Sequence, residues 1–197
     1  MSRTDNGSRQ GRARALAGKL AEKPLVLVGM MGAGKTTVGR RLASRLGRQF
    51  VDSDEEIERA AQMSIPEIFE QRGEAEFRAG EMRVIARLLK EKDVVLATGG
   101  GAFINPETRA LVKAGAISVW LKADIDLLFE RVSRRSNRPL LKTADPRATL
   151  EKLVEDRYPI YAEADVTVVS RDIPQDNVAG DVVNALLNHL KRNHEKT

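Results

Sequence analysis

Gly29-Met30-Met31-Gly32-Ala33-Gly34-Lys35-Thr36 is the segment whose residue types and spacing most plainly suit chemistry. Its glycines let successive backbone N–H groups converge on a cluster of oxygens. An ammonium and a hydroxyl follow where a helix can begin, and a helix N-terminus adds partial positive charge. The set suits phosphate: Lys35 can reach the terminal phosphates, and the Thr36 hydroxyl can ligate Mg²⁺. Gly32, Ala33, Gly34, Lys35, Thr36 and Thr37 are therefore expected to hold a nucleoside triphosphate. The alternative is a glycine turn with an incidental lysine. At an average glycine usage of about 7%, a chance match to this spacing is on the order of 1% or less, which disfavours it.

A phosphate loop implies nucleotide binding and no particular reaction. Asp52-Ser53-Asp54 narrows the field, because it follows the short apolar pair Phe50-Val51. In an extended chain, residues i and i+2 share a face. Ligands of open α/β sheets bind at the carboxyl ends of the strands. Two carboxylates there can divide the work: Asp52 in the Mg²⁺ shell with Thr36, and Asp54 accepting a hydrogen bond from a substrate hydroxyl. A helix N-cap is the alternative for Asp54, since Glu55 opens a helical pattern.

Further along lie Phe77-Arg78 with Glu81, Gly99-Gly100-Gly101, Arg138-Pro139-Leu140, and Arg157 before Tyr158-Pro159. In this order, after the phosphate loop, the set resembles the shikimate kinase family over nearly all of residues 24–190. The resemblance implies phosphorylation of the 3-hydroxyl of shikimate, with ATP as co-substrate and one Mg²⁺, in aromatic amino-acid biosynthesis. By resemblance, Arg78 and Arg157 bind the shikimate carboxylate, and a guanidinium fork matches that group in two-bond geometry. Glu81 is similar to the acid that holds these arginines. Asp54 resembles the residue that binds the ring hydroxyls and takes a proton. Gly100 resembles the backbone donor at the ring, where a side chain would obstruct approach. Phe69 and Phe77 resemble the apolar walls, with ordinary core packing an equal alternative.

Arg138 falls in a polar loop at about 133–146 that resembles a mobile lid, its arginine stabilising charge on the transferring phosphoryl group. Lys35, Asp54 and Arg138 are thus the expected catalytic residues. Arg134 and Arg135 are expected to be solvated. Arg131 resembles the arginine that stacks on adenine. A last nucleotide contact is expected near Arg171-Asp172-Ile173-Pro174, with Arg171 the candidate. A gluconate or nucleoside-monophosphate kinase on the same scaffold is the nearest rival, and Phe77-Arg78 and the triple glycine match it less well.

These residues need a frame. Short apolar runs at 25–28, 50–51, 94–97, 117–121 and 166–169 alternate with helical patterns along the body. That alternation predicts a three-layer αβα fold with a central, mostly five-stranded parallel sheet. Residues 1–22 are expected to be a basic, disordered extension, 23–190 one kinase domain, and 191–197 a basic tail.

Composition excludes other classes. The chain has 197 residues, no cysteine and a formal net charge of +5. Residues 1–23 and 191–197 carry +4 and +2, leaving −1 on the span between. That body is neutral, and aromatic residues are only 4%, poor material for stacking bases. No nucleic-acid partner is expected, although a nucleotide-dependent nucleic-acid binder using the basic ends is the rival from another class. The longest apolar run, 25–33, is too short to span a bilayer, so no membrane partner is expected. A cytoplasmic monomer is expected. His189 and His194 fall in the last helix and tail, away from any motif.

Overall fold

β1 (Leu25–Val28) is four apolar residues, all buried, and such a strand belongs at the centre of a sheet covered on both faces. The computed structural model, which describes residues 11–13, 15–20, 23–134 and 143–195, puts it there. β2 (Gln49–Asp52), β3 (Val94–Ala97), β4 (Ile117–Lys122) and β5 (Val166–Val169) complete a sheet of order β2-β3-β1-β4-β5. Every pairing is parallel, with Val26 opposite Leu96 on one side and Ser118 on the other. Edge strand β5 alternates buried and exposed residues, as a strand covered on one face should.

Helices cover both faces. α1 (Lys35–Leu46) follows the phosphate loop and buries Val38, Leu42 and Leu46. α2 (Ser53–Ala61) and α3 (Ile65–Leu88) come next. α3 opens with a complete capping box between Ser64 and Glu67 and breaks at Gly73, where φ is +79°. The remaining helices are α4 (Pro106–Gly115), α5 (Ile125–Ser133), α6 (Pro146–Tyr161) and α7 (Gln175–His194). None is long and apolar enough to cross a membrane, among the described residues.

The sheet order locates the site. β1 sends its connection toward β2, while β4 sends its connection toward β5. The carboxyl ends of β1 and β4 thus flank a crevice at a topological switch point, where α/β sheets bind ligands.

The N-terminal stretch departs from expectation. Residues 11–13 and 15–19 are helical, although only a turn or two within 15–22 was expected in an otherwise disordered extension. Ala13, Leu16 and Leu20 are buried in the main core, Leu16 completely. Basic composition masked three apolar residues at helical spacing. Leu16→Ala is expected to cost about 3 kcal/mol, read as a lower midpoint in urea unfolding with the slope unchanged. A midpoint within error of wild type would return this stretch to the surface.

Candidate active site

The phosphate loop builds the floor of the crevice. Gly29, Gly32 and Gly34 take φ of +136°, +82° and +95°, values that L side chains rarely adopt. The loop therefore curls back above β1 and delivers Gly34 as the N-cap of α1. Lys35 is buried, and its Nζ donates to the Gly29 and Met30 carbonyls at 2.7 and 2.9 Å. Those bonds hold the ammonium inside the curl of the loop.

Thr36 Oγ1 donates to Asp52 Oδ2 at 2.8 Å, and Asp52 Oδ1 accepts from the Asp54 N–H at 3.1 Å. Asp52 is thus both the N-cap of α2 and the partner of the phosphate-loop hydroxyl. The cap falls on Asp52, not on Asp54. The shared strand face predicted for the pair does not form either, because β2 ends at Asp52 and α2 begins at Ser53. Both carboxylates still line the cleft, since the first turn of α2 aims Asp54 toward the glycine turn after β3.

That turn is the tightest part of the site. A Cβ on Gly99 would lie 2.8 Å from Asp54 Oδ1 and 2.9 Å from Glu81 Oε1. A Cβ on Gly101 would lie 2.5 Å from Arg78 Nη1. Glycine leaves the carboxylate pair at one end of the turn and the guanidinium at the other where they stand, whereas a side chain would push these tips aside. At Gly100 the nearest protein atom to a Cβ would be Met31 N at 3.4 Å, so the protein itself crowds this position less than its neighbours. The Ser53 hydroxyl, fully buried, accepts from the Gly99 N–H at 3.1 Å and pins the turn to α2.

Two arginines bracket the turn. Arg78 Nη1 donates to Glu81 Oε2 at 2.7 Å, and Arg78 also pairs with Glu74. Glu81 is 2% exposed. Its Oε1 has no hydrogen-bond partner among the described residues. Burial pushes its carboxyl above the usual range; Arg78 opposes that push, and the Asp54 charge adds to it. Arg157 Nη1 approaches the Gly100 carbonyl at 3.5 Å, which also accepts from the Tyr161 hydroxyl. Burial raises Tyr161 to about 12, so its hydroxyl remains a donor at physiological pH.

The cleft has a volume of about 420 Å³. Arg131 overhangs it, donating to the carbonyls of Gly32 and Arg171 and to Ser170 Oγ at 3.1–3.3 Å. Near it lies Gln175, the first residue of α7, with a buried Oε1 that has no partner among the described residues. A Cβ on Gly34 would sit 2.9 Å from that oxygen. The donor set fits Mg²⁺, which keeps most of its water and takes few protein ligands: one hydroxyl, Thr36, beside one carboxylate, Asp52.

Residues 31–187 match the family model for shikimate kinase. The chain is 55% identical to a shikimate kinase of Mesorhizobium japonicum over 89% of its own length and 87% of that protein. It is 57% identical to one of Bradyrhizobium diazoefficiens over 87% and 83%. The chain belongs to the shikimate kinase family. A solved structure of an Acinetobacter baumannii shikimate kinase in complex with shikimate superposes with a TM-score of 0.83 at 41% identity, covering 88% of this chain and 97% of that one.

The expected site residues divide between the cleft and its surroundings. Gly32, Gly34, Lys35, Thr36, Thr37, Asp52, Asp54, Gly100 and Arg131 line the cleft itself. Ala33 is buried beneath it. Arg78, Glu81 and Arg157 stand behind the glycine turn, and Phe77 lies under Arg78, whose Cζ is 5.0 Å from its ring centre. Phe77 packs in a small core with Ile57 and Ile68, while Phe69 is 36% exposed and stacks on it at 4.6 Å. Arg138 lies outside the described residues. Arg171 turns its side chain away to Asp181 at 2.7 Å and offers Arg131 only its carbonyl. Arg134, expected to be merely solvated, lines the mouth of the cleft.

Sequence reasoning missed Ser53 and Gln175. Gln175 follows immediately on the segment where a last nucleotide contact was expected, and the proline before it marks a helix start. Ser53 carries no comparable signal, because a serine between two aspartates reads as a cap.

Proposed function

We propose that the protein transfers the γ-phosphoryl group of ATP to the 3-hydroxyl of shikimate, giving shikimate 3-phosphate and ADP on the route to aromatic amino acids. The observation that carries this reading is the Gly99–Gly101 turn, with Asp54 packed at one end and Arg78 at the other, beside a phosphate loop. Shikimate has the complementary pair, ring hydroxyls and a carboxylate.

Arg78 and Arg157 bind the carboxylate, and Glu81 fixes the angle of Arg78. Asp54 accepts the proton of the attacking hydroxyl. A bond forms from that oxygen to the γ-phosphorus, and the bond from phosphorus to the bridging oxygen breaks, leaving its electrons on ADP. Lys35 and the loop N–H groups neutralise the charge that builds on these oxygens. Thr36, with Asp52 behind it, holds the Mg²⁺, which when bound neutralises phosphate charge. Arg131 lies over the base and Gln175 closes that end of the nucleotide site. Arg138 supplies a further positive charge from the 133–146 loop. The working unit in this reading is a monomer acting in the cytoplasm.

The direct test measures ADP release with ATP, Mg²⁺ and shikimate, with gluconate and AMP as controls. Release that requires shikimate is expected, and turnover only with a control substrate would overturn the assignment. Arg78→Ala is expected to raise the shikimate KM by roughly 10- to 100-fold, since a charge-assisted hydrogen bond is worth a few kcal/mol, and to leave the ATP KM unchanged. A change confined to the ATP KM contradicts the role given to Arg78.

A further inference from the structure

A second cavity, of about 360 Å³, lies between α2 and α3, with Phe77 in its wall. Its floor is Ile57, Ile68, Phe77 and Val84, the small core that is separate from the main one. Its rim is three arginines, Arg72, Arg83 and Arg87, and one carboxylate, Glu76. Arg87 is held at 2.6 Å by Glu56, whose side chain is only 15% exposed, whereas Arg83 pairs with Glu76 at 3.2 Å with both side chains more than half exposed. Such an exposed pair holds weakly and yields to a competing anion. Arg72 makes no hydrogen bond or ion pair among the described residues. Gly80 leaves the cavity open. A Cβ there would meet only Arg83 Nη2, at 4.0 Å, so close packing does not require glycine in this helix. Glycine inside a helix costs about 1 kcal/mol relative to alanine, and nothing in the fold offsets that cost.

We propose that this groove is a second binding site, for a small organic anion with a flat apolar body. The floor takes the ring, and Arg72 with Arg83 takes the carboxylate. The volume is near the lower end of small-ligand pockets, which suits one or two fused rings. Phe77 is shared: it lines this cavity, and its ring lies 5.0 Å from the Arg78 guanidinium carbon. Occupancy therefore shifts Arg78 and changes the shikimate KM. This kinetic consequence rests on the role proposed for Arg78, whereas binding does not.

2-Naphthoate is the probe, with the uncharged 2-naphthamide as control. The wild-type chain, labelled at its methyl groups, is titrated by NMR without and with saturating shikimate. The Ile57, Ile68 and Val84 methyl signals are expected to move with a single Kd that shikimate changes only a few-fold, and 2-naphthamide to bind at least about tenfold more weakly. Gly80→Leu, which fills the groove with a better helix former, abolishes the shifts, and Arg72→Ala weakens binding. Neither residue belongs to the catalytic cleft, so both variants keep the basal kcat. No movement of these methyls, movement abolished by shikimate, or equal binding of the amide overturns the site. Kinetics in saturating 2-naphthoate should change the shikimate KM at least about twofold in wild type and not in Gly80→Leu. Groove binding without that change overturns the coupling. Groove binding in a protein that does not turn over shikimate at all upholds the site and refutes the proposed function instead.

Discussion

Asp54→Asn is expected to lower kcat by about 10³-fold and to leave nucleotide affinity unchanged, because an acceptor of the hydroxyl proton contributes on that order. The substitution keeps the size of the side chain, and its backbone N–H still donates to Asp52, so the first turn of α2 persists. What goes is the negative charge beside Gly99. The same charge is one of the influences raising the Glu81 carboxyl, so the variant brings Glu81 back toward its ordinary value and tightens its pairing with Arg78. Shikimate binding therefore survives while turnover does not. Two measurements separate these effects: kcat with both substrates saturating, and the Kd for ADP by calorimetric titration. An unchanged kcat removes Asp54 from the proton transfer. A matching loss of ADP affinity moves its role to the nucleotide.

The frame of this site was legible because each strand carries its own apolar run and punctuation. Leu25–Val28, Val94–Ala97 and Val166–Val169 begin and end where composition changes, and Lys35–Leu46 begins at the motif lysine and ends at Gly47. Local physics settles such boundaries. Legibility failed where tertiary contact outweighed local pattern. Leu16 and Leu20 sit among basic and small residues, and only the surface they meet makes them core. The i, i+2 rule misjudged Asp52 and Asp54 because the chain turns from strand to helix between them.

The candidate site divides in the same way. The residues proposed to meet phosphate were readable, since a glycine loop running into a helix suits that chemistry. The three consecutive glycines were visible, but the reason for them was not. Gly99 and Gly101 answer to Asp54, Glu81 and Arg78, which come from other elements, and no spacing along the chain encodes that approach. Gln175 and Ser53 belong here too: ordinary residue types brought to the cleft and its glycine turn by what packs against them.

Lys35→Met is expected to reduce kcat by about 10²- to 10³-fold, the loss seen when one preorganised donor to a developing charge is removed. Methionine matches the length and apolar body of the lysine stem, so Val38 and the rest of α1 keep their packing. The bonds from Nζ to the Gly29 and Met30 carbonyls are lost, and those carbonyls open onto a cleft where water can replace the donor. The melting temperature without nucleotide should therefore fall by only a few degrees. The rise on adding ADP and Mg²⁺ should shrink by more, because ligand stabilisation follows affinity for the folded state. The contrast separates the two roles of this ammonium. If Lys35 serves mainly to hold the loop's shape, the melt without ligand moves most and the nucleotide increment is kept. If it serves phosphate, the increment and kcat fall together. The fixed bonds to two loop carbonyls favour the second outcome, since they hold the charge at the loop before phosphate arrives and spare the cost of ordering a lysine stem at the moment of binding.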